Sequence, residues 1–114
     1  MRAANKDKNQ NKIERALITA GAQFIDTSML KKDTFDLIVL FRGNVFLLEI
    51  KNDDYLPKSF YEMTDKEKRD YLIQKKLTEN EKKTLKKCVL TNNILHIVYD
   101  VDSTLKAIGA IKQS

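Results

Sequence analysis

At 114 residues, 42% of them hydrophobic and 32% charged, the chain has the length of a single domain and an ordinary globular composition. No apolar run is long enough to span a bilayer, the opening MRAANKDKNQNK lacks the apolar centre of a secretory signal, and one cysteine, Cys88, excludes a disulfide framework or a cysteine metal cluster. The cytoplasm is therefore the expected compartment, and a net charge of +5 with a pI near 9.3 makes a polyanionic partner acceptable without requiring one.

The segment NQNKIERALITAG, residues 9–21, places Ile13, Ala16, Leu17 and Ala20 at helical spacing, with Gly21 set to end the helix in a left-handed conformation. AQFIDTSML, 22–30, reads as a short strand, and KKDT as a polar turn. FDLIVLF and VFLLEIK are β-branched and leucine-rich, and the RGN between them supplies a tight hairpin centred on Gly43 and Asn44. Both faces of this pair look apolar, which predicts a position at the centre of a sheet.

The following stretch, about 53–75, contains the only proline and a helix over 64–73. A helix follows from Thr78, whose spacing from Glu81 is that of a capping box, with Leu85, Cys88 and Val89 as its buried stripe. ILHIVYD is a late strand, and VDSTLKAIGAI a closing helix capped by Asp102 or Ser103. The expected fold class is thus α/β with a mixed sheet, in the order α-β-β-β-α-β-α, with helices on its faces. Two segments concentrate basic charge: Arg2, Lys6, Lys8, Lys12 and Arg15 in the first, and Lys75, Lys76, Lys82, Lys83, Lys86 and Lys87 in the second.

Side chains alternate along a strand, so Glu49 and Lys51 project from one face while Ile50 points to the other. The hairpin returns Asp36 to the same end of the sheet. Two carboxylates and an ammonium there suit a hard divalent cation such as magnesium, with the Ile50 carbonyl as a further oxygen ligand. The plainer reading is a strand-end acid beside a surface ion pair.

Four segments, DKNQ at 7–10, FDLIVLFRGNVFLLEIKN at 35–52, KLTENE at 76–81 and VDSTLKAIG at 101–109, carry a resemblance in order and spacing. The chain resembles the small phage-type VRR-NUC (virus-type replication-repair nuclease) proteins of the restriction-endonuclease-like superfamily, whose chains read DxNQ, PDLLVG-RG-xxxLLEVK, LTPxQ and VDEAL-AIG. The resemblance implies a restriction-endonuclease-like core and a magnesium- or manganese-dependent endonuclease acting on branched or structured DNA, such as a Holliday junction or flap. It also implies a homodimer, placed in the host cytoplasm if phage-encoded. Asp36 and Glu49 would be metal ligands, Lys51 the catalytic lysine, and Gln10, with Asn9, a neighbour of the site from the first helix.

The chain departs from that pattern in several places. Phe35 replaces the proline before the first acid. Lys12 stands where an acid often follows the NQ, so Glu14, one turn after Gln10, is the candidate replacement. Glu81 stands for the glutamine of LTPxQ. Lys12, Lys82 and Lys86 are candidate phosphate contacts. Asp53 and Asp54 read mainly as a solvated turn, and His96 as an ordinary sheet residue. Beside the family's usual connection the stretch about 53–75 is longer, an insertion, and Tyr55, Phe60, Tyr61 and Tyr71 read as its anchors onto the sheet or a second subunit, with base stacking as the second role. The competing functional reading is a nucleic-acid-binding or inhibitor protein on the same fold with little or no activity.

Overall fold

The computed structural model describes residues 9–30 and 34–112. Among them lie four α-helices and four strands: α1 (Gln10–Thr19), β1 (Gln23–Asp26), β2 (Leu37–Phe41), β3 (Asn44–Ile50), α2 (Asp65–Lys75), α3 (Glu79–Leu90), β4 (Leu95–Val98) and α4 (Val101–Ala107), with a 3-10 turn at Lys58–Glu62. Arg2, Lys6 and Lys8 of the first basic segment, and Asp7 of DKNQ, lie outside the described residues.

Local chemistry sets most of the boundaries. In α1, Ile13 and Leu17 are buried one turn apart, and Gly21 at φ 93° ends the helix as the Ala22 N–H turns back to the Leu17 carbonyl. Helices α2 and α3 both open with capping boxes, Thr64 with Glu67 and Thr78 with Glu81. The cap of α4 is Asp100 rather than Asp102 or Ser103. Its carboxylate accepts from the Ser103 N–H at 2.7 Å, while the Ser103 hydroxyl meets the Asp100 N–H at 3.1 Å. Strand β1 ends at Asp26, short of the expected Leu30, because the Asp26 carboxylate captures the N–H and hydroxyl of Ser28 and bends the chain.

The sheet runs β1-β2-β3-β4, an antiparallel meander whose third strand pairs in parallel with β4 after a crossover through α2 and α3. The hairpin loop is Arg42-Gly43, both at positive φ (50° and 80°), and Asn44 joins β3 opposite Phe41. This moves the expected turn one residue earlier. Leu37 then faces Leu48, and one step further the register sets Asp36 beside Glu49, whereas a turn centred on Gly43 and Asn44 would set it opposite Lys51.

The two sheet faces differ. Leu37, Val39, Phe41, Leu48, Ile50 and Val98 form one apolar core with Ile13 and Leu17 of α1 and with Ile108 just after α4. On the other face Ile97 and Tyr99 pack with Phe60, Leu72 and Leu77, so the 53–75 segment is anchored by Phe60, which is fully buried. That cover stops short of β1, leaving Ile25, Leu40 and Val45 exposed. The stripe of α3 is Thr84 and Cys88 with Leu85 half-buried. Val89, about 100° round the helix from Cys88, is 61% exposed, against the expectation. At the β4 edge, Arg69 of α2 donates to the Leu95 carbonyl at 2.8 Å. No helix among the described residues is long and apolar enough to cross a membrane.

Candidate active site

The end of β3 carries Leu48, Glu49, Ile50 and Lys51 in alternation, the apolar pair in the core and the charged pair on the opposite face. Asp36, just before β2, is locked against this end: its N–H donates to the Leu48 carbonyl at 3.0 Å, and its Oδ2 accepts from the Ile50 N–H at 2.7 Å. Glu49 is 3% exposed, with its Oε2 3.8 Å from Lys51 Nζ. Lys51 reaches Glu81 Oε1 at 2.8 Å and the Lys76 carbonyl at 3.5 Å, while its own N–H holds Val98 of β4 at 2.8 Å.

Glu81 is the group the sequence undervalued. The same Oε1 accepts from the Thr78 N–H at 2.8 Å, so one oxygen both caps α3 and pairs with Lys51. Its capping-box spacing was legible; its second partner depends on a crossover that brings the start of α3 to the end of β3. The only sequence signal was its place in KLTENE, the counterpart of LTPxQ.

Three carboxyls thus surround one ammonium. Burial, together with Asp36 and Glu81, pushes the Glu49 carboxyl up from 4.5 to about 10, Lys51 opposing. Burial also raises Asp36, against the Ile50 N–H, a hydrogen bond from Glu49 and the charge of Lys51. Burial pushes Glu81 the same way, but the hydrogen bonds from Lys51 and the Thr78 N–H outweigh it and leave Glu81 below the usual carboxylate range. In this arrangement Glu49 carries a proton and Glu81 the charge that balances Lys51.

Asp36 and Glu49 form a pair rather than a cage. Among the described residues no group of three His, Cys, Asp or Glu side chains is arranged to hold a metal ion. A pair still fits a magnesium-type ion, which keeps several waters and takes one or two carboxylates from a protein. A buried carboxyl that holds a proton for want of compensating charge is also one that a cation would discharge.

The other expected residues lie at varying distance from this centre. Asn9 donates through Nδ2 to the Lys51 carbonyl at 3.2 Å and to the Tyr99 carbonyl at 2.6 Å, fixing the ends of β3 and β4 from the start of α1. Those bonds explain why Asn9, at the N-cap position, makes no capping bond with its side chain. Gln10 is buried and donates to Glu14 Oε2 at 2.9 Å. Besides burial, the main influences on the Asp36 and Glu49 carboxyls are each other, Lys51, Glu81 and the Ile50 N–H. Lys12 and Lys86 are exposed, and Lys82 lies 3.6 Å from Glu79 on the outer side of α3. Asp53 and Asp54 form a half-buried turn, with the Asp54 N–H on Asn52 Oδ1 at 2.8 Å. His96 is half-buried with its ring 5.8 Å from that of Phe46. Comparison with family models, with curated proteins and with solved structures finds no match for the chain.

Proposed function

We propose that the chain is a metal-dependent endonuclease that hydrolyses phosphodiester bonds in branched or structured DNA, built on a restriction-endonuclease-like core of the VRR-NUC type. The observation that carries this reading is the convergence of Asp36, Glu49 and Lys51 at one sheet end, with Glu81 completing the group. The order of the strands, a three-stranded meander followed by a parallel β4, is consistent with it.

Asp36, Glu49 and the Ile50 carbonyl would hold magnesium or manganese. When bound, such an ion acidifies a water and offsets charge on the phosphate under attack. Lys51 orients that water, and Glu81, from the first turn of α3, fixes the direction of the ammonium. The Asp36 contact with the Ile50 N–H ties the start of β2 to the strand end that carries Glu49. Lys82 and Lys86, with Lys12 from α1, supply phosphate contacts. Symmetric cutting of two strands requires two such sites, hence a homodimer.

Cleavage of plasmid, single-stranded, flapped and four-way-junction DNA with manganese or magnesium tests the reading. The wild type should cut at least one substrate, and Lys51→Ala should lose about a thousandfold or more of that rate while retaining its circular dichroism. Cutting that survives Lys51→Ala, or proceeds equally in excess chelator, would overturn the assignment. Binding without cutting would favour the binding-protein reading instead.

A further inference from the structure

Among residues 51–57, only Tyr55 is exposed, and it is 95% exposed. Its backbone is left-handed, at φ 65°, a conformation that glycine or asparagine takes far more readily than an aromatic residue. Phe60 is core, and Tyr61 and Tyr71 lie edge-on to it at 5.3 and 5.6 Å, but the Tyr55 ring meets no other ring or cation among the described residues. Left-handed backbone at a residue other than glycine collects at sites that meet ligands, and the wetted apolar face of the ring is open to one.

The turn is nevertheless fixed. Asn52 Oδ1 holds the Asp54 N–H at 2.8 Å, and Lys76 Nζ donates to the Asp54 carbonyl at 3.4 Å. The carbonyl of that same Lys76 accepts from Lys51 Nζ at 3.5 Å. Two hydrogen bonds through one residue therefore tie the peptide before Tyr55 to the ammonium of the proposed catalytic group.

We propose that Tyr55 is a stacking platform for an unpaired nucleobase beside the cleaved phosphate, so that the substrate class is DNA with a single-stranded arm rather than continuous duplex. This rests on reading Asp36, Glu49 and Lys51 as a nuclease centre. Bases inside a duplex already stack on each other, whereas an unpaired base has a free face that an exposed ring on an anchored turn can cover. The adjoining Lys58, also exposed, lies on the same connection and suits the phosphate of such an arm.

The test uses the full chain carrying Glu49→Gln, to prevent cutting, with magnesium present. Binding is measured to a flapped DNA bearing 2-aminopurine in its unpaired arm and to a duplex of equal length. The parent should quench the probe and prefer the flap; adding Tyr55→Ala should abolish the quenching and weaken flap binding about tenfold, with duplex binding unchanged. Tyr55→Phe should behave as the parent. Tyr55→Gly, which relieves the left-handed backbone, should bind like Tyr55→Ala yet melt no lower than the parent. Undiminished flap binding and quenching in Tyr55→Ala would overturn the stacking role alone. A parent that binds neither DNA would overturn the nucleic-acid reading and the stacking role together.

Discussion

The two faces of β3 are built from neighbouring residues and obey opposite rules. Leu48 and Ile50 enter an apolar core closed by α1 and α4. Glu49 and Lys51, interleaved with them, sit on a face whose cover is partial and whose charged groups answer to one another. Glu49 is nevertheless as inaccessible as its apolar neighbours. Burial on the first face lowers the free energy of folding through removal of apolar surface, and burial on the second raises it by desolvating a carboxyl. One seven-residue strand thus stabilises the fold with alternate side chains and stores an electrostatic demand with the others.

The sharpest way to break the comparison is to remove a residue from each side. Leu48→Ala should cost about 2–5 kcal/mol in urea or thermal unfolding, since a fully buried leucine leaves a cavity that the sheet cannot close. Glu49→Gln should act in the other direction. Because the folded protein holds the Glu49 proton up to about 10 against 4.5 in the unfolded chain, that contribution is fully present at acid pH and is lost as pH rises through this window. The metal-free wild type should therefore melt progressively lower from about pH 5 toward pH 10, and Glu49→Gln should flatten that decline; parallel pH profiles would remove the buried proton from the account. Manganese should raise the melting temperature of the wild type at pH 8 and leave Glu49→Gln nearly unmoved. The smallest effect belongs to the outer surface. Doubly substituting Lys82→Ala and Lys86→Ala should leave stability within about 0.5 kcal/mol and make the salt dependence of DNA binding shallower by about two units of slope, one per lost phosphate contact.

Reading the sequence recovered those features that depend on neighbours in the chain. Alternation in VFLLEIK separated Glu49 and Lys51 from Leu48 and Ile50, and the Thr78–Glu81 spacing located the start of α3. Features set by a single torsion or by long-range contact were harder. Arg42 takes a left-handed conformation that its side chain does not favour, with its guanidinium 4.6 Å from the Phe41 ring, so the loop begins one residue before the glycine-asparagine pair suggested. The shift sets Asp36 beside Glu49, a closer pairing of carboxylates than the expected register. Helical spacing alone places Val89 in the interior, but cover over α3 ends at Cys88. The link from Glu81 to Lys51 spans 30 positions of sequence and follows only once the crossover is known.

Arg69 bears on how the sheet ends at β4. A terminal strand ordinarily offers its free carbonyls as a template on which another molecule's strand can add. Here the guanidinium of α2 has already taken the Leu95 carbonyl, midway along a helix that itself leans over β4. Growth of the sheet through that border would first require this bond to break. Edge-to-edge addition at β4 is thereby opposed, while among the described residues the sheet's other border, β1, carries no such guard from α2.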